Sequence, residues 1–332
     1  MITKILSYKQ LELANALERS REQKVFAVVD ARVKNMLPQW LQFSPDVFWL
    51  SRPEEQKTLD VFGEICDFFL RQGILRGNKV IGIGGGATTD LAGFVAATLH
   101  RGVGWVAVPT TLMGMVDAAI GGKTALNTKH GKNLLGAFHA PEEVWICTDF
   151  LKTLASTDLA SGKGEIAKYA LLDAGIHETV MASKVVTDEL IHQCARYKLD
   201  VVSRDFLDQG ERAYLNLGHT LGHAFEHALR IPHGIAVAMG LKYILKAFCA
   251  PELSEVFMRV VHKLEVDEDK LDLTSYRNFD RDLFWQALSH DKKRVAKGVN
   301  LILLDKVGAP RIETVTLPQL KARLEALSDF KS

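Results

Sequence analysis

The chain has 332 residues, 47% of them hydrophobic and 24% charged, and its 41 basic and 40 acidic side chains leave a net charge of +1. That balance gives neither nucleic acid nor an anionic membrane a global reason to bind, and the length favours two domains over one core. The four cysteines, Cys66, Cys147, Cys194 and Cys249, form no Cys-x-x-Cys pair, so they read as reduced thiols and not as a disulfide frame or thiolate metal site.

The N-terminal residues lack the apolar core of a signal peptide, and the cytoplasm is the expected location. The first ~150 residues then alternate strand and helix signals, an α/β pattern. Apolar runs at 25–29, ending before Asp30, and at 47–50 read as strands. Residues 58–72 show helical spacing through Leu59, Phe62, Ile65, Phe68 and Phe69. A buried strand over 80–83 opens into Gly84, Gly85 and Gly86, and a helix follows through Leu91, Phe94 and Leu99. A further strand over 104–108 is stopped by Pro109, Thr110 and Thr111.

Strand, glycine run, helix is the arrangement in which backbone N–H groups and a helix N-terminus hold a pyrophosphate. Gly82-x-Gly84-x-x-Ala87 formally matches the dinucleotide fingerprint, but the acidic residue expected ~20 positions on is replaced by Gly102 to Val108. Asp30, ending an earlier strand, is a substitute for gripping ribose hydroxyls. The other reading is a merely tight strand–helix turn. Gly121-Gly122-Lys123-Thr124 fails as a phosphate loop because Asp117 stands where its first glycine belongs. Lys123 could still reach a phosphate directly.

After Asp149 the strand signals thin out. Helical spacing runs through residues 158–172, 177–199, 205–229, 235–249 and parts of 252–289, and one strand is expected over 299–304. Lys242 and Lys246 make the apolar run 235–250 an amphipathic helix rather than a membrane span. The expected boundary near 150 has no Gly- or Ser-rich linker, giving domains 1–150 and 151–332.

Residues 215–227 place His219, His223 and His227 at steps of four, so on a helix they share one face. His233 follows, and Glu165 lies upstream on another apolar-periodic segment with Lys168 three positions on. Two imidazoles and a carboxylate from separate helices are what a catalytic divalent metal with an open coordination position requires. Spacing permits either His219 and His223 with Glu165 or His233, or Glu165, His219 and His233 with His223 one turn away as an acid/base or phosphate contact. The alternative is a set of helix histidines without metal. Glu226 and His227 suit helix packing or support of the ligands. The basic run 292–297 lacks interleaved aromatics, so no nucleic acid partner is expected.

Together these motifs resemble the 3-dehydroquinate synthase family of sugar-phosphate cyclases, from about Glu54 to Arg311. The resemblance rests on Asp90 to Phe94 after the triple glycine, Arg101-Gly102, Val108 to Leu112, Val116-Asp117, Gly121 to Thr124 and Gly131 to Phe138. It continues through Glu165 to Lys168, Arg212, Leu215 to His223, His233 to Val237 and Asp291 to Lys293. It implies a Rossmann-like N-terminal domain with a parallel sheet that binds NAD, a mainly α-helical metal-binding domain and a homodimer. It favours Glu165, His219 and His233 as ligands of Zn2+, with Co2+ as a substitute.

The resemblance further implies that Lys123, Lys168, His223, Asn216 and Asp117 take part in catalysis. Arg101, Asn133, Lys198, Arg212 and Lys293 would bind substrate, with Lys198 and Arg212 pairing its carboxylate. Glu54, Lys57, Gly84, Gly85, Gly86, Asp90, Thr110, Thr111, Lys132 and Thr153, with Asp30, would bind the cofactor. The implied substrate is 3-deoxy-D-arabino-heptulosonate 7-phosphate. Ile235 and Asp208 stand where the family usually has Glu. Other sugar-phosphate cyclases act on substrates without a carboxylate, which the Lys198 and Arg212 pair argues against. A metal-dependent NAD alcohol dehydrogenase would release NADH, and a non-catalytic binding protein would have no use for the full set of ligands, glycine loop and anion-binding residues.

Overall fold

The computed structural model describes residues 3–277, 279–289, 294–295 and 298–331. They form two compact units, Met1–Ala155 with Lys198–Leu207, and Ser156–Tyr197 with Asp208–Ser332. Among the described residues no helix is long and apolar enough to cross a membrane.

The first unit is built on a six-stranded sheet. In chain order its region holds β1 (Lys4–Ser7), β2 (Phe26–Asp30), β3 (Val47–Leu50), β4 (Lys79–Gly84), β5 (Gly104–Pro109), β6 (Lys123–Thr128), β7 (Gly131–Phe138) and β8 (Glu143–Ile146). The spatial order is β1-β8-β5-β4-β2-β3 and every neighbouring pair is parallel. β2 is buried at all five positions and β4 at five of six. Such continuous apolar runs belong to strands covered on both faces.

Helices Leu59–Arg71 and Gly86–Thr98 supply part of that cover. The first begins where Thr58 Oγ1 accepts from the Val61 N–H at 3.4 Å, and it buries Ile65 and Phe69. The chain runs from β2 outward to β3, then crosses to β4 on the other side of β2. Strand order therefore reverses between β2 and β4, and in open α/β sheets ligands bind beyond the carboxyl ends of strands at that point. Those two ends carry Asp30 and Gly84. β6 and β7 form a separate antiparallel hairpin, with Lys123 opposite Phe138 and Thr128 opposite Gly131.

The second unit is mainly helical. Its central helix, His233–Phe248, is buried continuously from Gly234 to Leu245 and packs on helices Ser156–Leu172 and His219–Leu229. The helical reading over 205–229 holds only from His219, because Asp208 (φ 59°) and Gly218 (φ 78°) break the backbone on either side of a short turn at Glu211–Asn216. The reading over 177–199 is two helices, Ala174–Ala182 and Asp188–Arg204. Near the C-terminus β9 (Arg294–Val295), β10 (Gly298–Lys306) and β11 (Ala309–Val315) form an antiparallel sheet.

Candidate metal centre and nucleotide loop

Glu165, His219 and His233 come together in the second unit, with one potential ligand atom from each within 4.8 Å of the others. Glu165 Oε1 lies 3.5 Å from His219 Nε2 and 3.3 Å from His233 Nε2. The other carboxylate oxygen, Oε2, meets Lys168 Nζ at 2.6 Å. Both partners of this pair are about 1% exposed, and burial of two charges at that depth requires the pairing. Lys168 thereby leaves Oε1 facing the imidazoles.

The ring nitrogens facing away from Glu165 are held too. His219 Nδ1 is 3.2 Å from the Leu217 carbonyl, and His233 Nδ1 is 2.8 Å from Glu226 Oε2. With those acceptors each ring carries a proton on Nδ1, so both Nε2 atoms are directed toward Glu165 Oε1, that of His219 as a lone pair and that of His233 as a lone pair once its second proton has left. Burial pushes His219 well below the usual histidine range, outweighing the pull of Glu165, and keeps the ring neutral. Burial also disfavours charge on His233, but hydrogen bonds to Glu165 and Glu226 override it and raise that ring to about 10.

A neutral imidazole, a carboxylate oxygen and a second imidazole that loses its proton to an ion are a fitting donor set for a divalent metal. His223 is exposed, with its ring centroid 5.5 Å from that of His219 and 5.6 Å from that of His233. Of the two schemes allowed by spacing, the convergence matches the one with His223 beside the ligand cluster. His227 is exposed on the same helix.

Close backbone approach sets the position of Glu165 against His233. The Gly234 N–H donates to Ser161 Oγ at 2.9 Å, capping the start of one helix from the side of another. A Cβ on Gly234 would lie 1.8 Å from the Ser161 carbonyl oxygen, and one on Gly164 would lie 2.0 Å from that of Gly234. Sequence reasoning missed Ser161; its only signal was a small polar residue one turn before Glu165. Asn216 closes the short turn before the His219 helix, and Arg212 in the same turn is buried.

In the first unit, Gly84 to Gly86 lie between β4 and the helix Gly86–Thr98, whose N-cap, Gly85, makes no side-chain cap. Thr88 Oγ1 is buried there and has no hydrogen-bond partner among the described residues. A Cβ on Gly84 would fall 2.4 Å from that same atom. A bare helix N-terminus behind a loop that admits no side chain fits a dinucleotide phosphate. The Gly84 carbonyl accepts from the Thr110 N–H at 2.9 Å, and Thr111 Oγ1 from the Gly114 N–H at 3.1 Å, which fixes the neighbouring loop. The Asp30 carboxylate caps its own turn at Arg32 N (3.0 Å) and pairs with the Arg32 guanidinium at 2.6 Å.

Buried Lys57 joins two further site candidates. Its Nζ is 2.5 Å from Asp90 Oδ2 and 2.5 Å from Asn133 Oδ1. Burial pushes the Asp90 carboxyl up to about 6, against the downward pull of the Lys57 ammonium. Glu54 Oε1 accepts from Asn127 Nδ2 at 2.9 Å, and Asn127 Oδ1 from the Asn133 N–H at 3.2 Å, so the network reaches the β6–β7 hairpin. Asn127 was not singled out from the sequence. Lys198 Nζ bonds the Asp117 carbonyl at 2.8 Å and its carboxylate at 3.0 Å. Arg101, Lys123, Lys132 and Thr153 are exposed. Lys293 lies outside the described residues.

The chain matches the family model for the 3-dehydroquinate synthase N-terminal domain over residues 47–161 and that for the C-terminal domain over 162–294. It is 35% identical to the 3-dehydroquinate synthase of Streptococcus pneumoniae (strain ATCC BAA-255 / R6) over 318 residues, 90% of this chain and 89% of that protein. The chain belongs to the 3-dehydroquinate synthase family.

Among solved structures it is similar to 2-epi-5-epi-valiolone synthase from Streptomyces hygroscopicus subsp. jinggangensis 5008, determined with NAD+ and Zn2+ bound. That likeness has a TM-score of 0.82 at 23% identity, over 98% of this chain and 96% of the other. A 2-deoxy-scyllo-inosose synthase complexed with carbaglucose-6-phosphate, NAD+ and Co2+ has a TM-score of 0.78 at 22% identity, over 97% and 96% of the two chains. At these identities the likeness is one of fold.

Proposed function

We propose that the chain is a phosphate-eliminating cyclase that converts 3-deoxy-D-arabino-heptulosonate 7-phosphate into 3-dehydroquinate and phosphate, using NAD and a divalent metal. The observation that carries this reading is the convergence of Glu165, His219 and His233 within a chain that matches both domains of the family. Bound metal, here taken as Zn2+ with Co2+ as a substitute, supplies a Lewis acid that lowers the pKa of substrate hydroxyls. NAD would supply a hydride acceptor, in an overall conversion that is redox neutral.

The chain's own residues bind, orient and neutralise. Glu165 Oε1 and the Nε2 atoms of His219 and His233 would hold the ion, while Lys168 pairs with the second carboxylate oxygen. The loop Gly84 to Gly86, with Asp90, Lys57, Glu54, Thr110, Thr111, Lys132 and Thr153, is assigned to the dinucleotide. Asp30 is already taken up by Arg32, so it reaches a ribose only by giving up that pair. Arg101, Lys123, Asn133, His223 and Lys293 are assigned to the substrate phosphate, and Asp117, Asn216 and Lys168 to its hydroxyls.

Lys198 supplies an ammonium and Arg212 a forked guanidinium for the substrate carboxylate, the guanidinium giving the stronger geometric match. The same resemblance supports a homodimer, which light scattering of the purified protein would show as twice the chain mass.

The test is phosphate release by the purified protein with NAD and Zn2+ on the heptulosonate, glucose 6-phosphate and sedoheptulose 7-phosphate in parallel. Turnover of the heptulosonate alone is expected, with no lasting absorbance of reduced nicotinamide. Turnover confined to a substrate without a carboxylate, or accumulation of NADH, would overturn the assignment.

A further inference from the structure

We propose that Glu226 is a positioning residue for the metal centre, holding the His233 ring so that its Nε2 faces the ion. This rests on the reading of Glu165, His219 and His233 as ligands and adds a residue to it. Glu226 lies seven positions after His219 and three after His223, so it continues their face of the helix His219–Leu229. That helix ends at Leu229, Arg230 turns the chain in the left-handed region (φ 55°), and His233 opens the next helix. The short connection folds Glu226 back onto the residue that follows it by seven. Its Oε2 accepts from His233 Nδ1 at 2.8 Å.

The three ligands differ in how they are held. Glu165 is fully buried and tied to Lys168, and His219 is buried with Nδ1 on a main-chain carbonyl. His233 is 30% exposed and stands at the first position of its helix, where the backbone does not fix the ring. Ile235, two positions after His233, is 2% exposed within the apolar core of the same helix and offers the ring no carboxylate. The carboxylate that meets His233 comes instead from the preceding helix. A histidine ligand whose far nitrogen donates to a carboxylate is fixed in tautomer and ring angle and made more basic.

Loss of such an outer partner weakens metal binding by about 10–100-fold. The test measures Zn2+ affinity by competition with a chromophoric chelator for wild type, Glu226→Ala, Glu226→Gln and His219→Ala, and records the visible spectrum of each Co2+ form. Glu226→Ala should bind Zn2+ about 10–100-fold more weakly and alter the Co2+ spectrum. Glu226→Gln, whose amide oxygen still accepts from Nδ1, should recover most of the affinity and the wild-type spectrum. NAD affinity, unchanged in all three variants, reports that the chain is folded. Full-affinity Glu226→Ala beside metal-free His219→Ala overturns this inference alone, as does Glu226→Gln as weak as Glu226→Ala. Wild type that takes up no Zn2+ overturns the metal reading and this inference with it.

Discussion

Replacing Gly234 by alanine tests whether helix spacing, and not ligand identity alone, makes the metal centre. The added Cβ would sit 1.8 Å from the Ser161 carbonyl oxygen, whereas ordinary van der Waals contact begins at 3.4 Å. The obstacle is backbone, so no rotamer change relieves it, and the two helices must separate by about 1.6 Å at this point. Gly234 is adjacent to His233, and Ser161 lies one turn before Glu165, so the separation falls directly on the 3.3 Å gap between Glu165 Oε1 and His233 Nε2. Metal–ligand distances tolerate deviations of about 0.2 Å. A shift several times larger would withdraw one of the three proposed ligands, and Zn2+ affinity should fall by at least the ~10–100-fold that loss of a ligand's outer partner costs. Overpacking of this kind costs about 1–3 kcal/mol of stability, sometimes more, so circular dichroism should still find helical protein. Chelator competition on the folded variant measures the affinity. Gly234→Ala that is folded and binds Zn2+ within threefold of wild type would refute the reasoning.

Metal uptake should release a proton. His233 in the ion-free protein is pushed up to about 10, so at pH 8 its proton must leave before Nε2 can bind, and calorimetry in two buffers of different ionisation enthalpy should show about one proton released per ion. The sign for stability follows from the same shift: the folded value lies above the ordinary 6.5, so the contribution is complete below 6.5 and is lost as pH rises through about 10. Ion-free protein should therefore melt lower at pH 9.5 than at pH 7, and buffer-independent binding heats together with a flat melting profile would count against both statements. Lys198→Ala should raise KM for the heptulosonate by about 10–100-fold, from a charge-assisted hydrogen bond of about 1.5–3 kcal/mol, and steady-state kinetics with an unchanged KM would remove Lys198 from the carboxylate clamp.

The parts of the fold legible in the sequence are those in which one physical signal dominates. β2, β4 and β5 are buried on both faces, so their apolar runs stand out without help from turn residues. The helix Leu59–Arg71 has both a capping threonine and a clean apolar stripe. The β6–β7 hairpin has neither advantage. Every residue of β7 except Ala137 is exposed, so no alternation marks it, and its glycines and lysine read as loop. β11 carries Pro310, Arg311 and Glu313 at the edge of a small sheet, where pairing to β10 decides the structure and composition does not. The break between Ala182 and Asp188 has no glycine or proline; Thr187 Oγ1 starts the next helix by accepting from the Leu190 N–H at 3.2 Å.

The metal centre was legible to a different depth. Spacing put His219, His223 and His233 near one another but could not choose among them, because two histidines four apart on one helix are as good a ligand pair as two on neighbouring helices. Which of them face Glu165 is decided by packing that periodicity does not encode. Leu221, Ala224 and Phe225 turn into the core, which rotates His219 inward and leaves His223 at the exposed edge. The second imidazole is brought up by the crossing of two helices at Gly164 and Gly234, where any side chain would hold them apart. A glycine beside a ligand thus has a geometric meaning, seen only when the opposing backbone is known. The same holds for Glu226, whose position in the sequence suits packing as well as support, and whose partner is fixed by the turn at Arg230. Residues with the chemistry of a metal ligand could be named from the sequence. Those that set the distance between them are recognised by what a Cβ would strike.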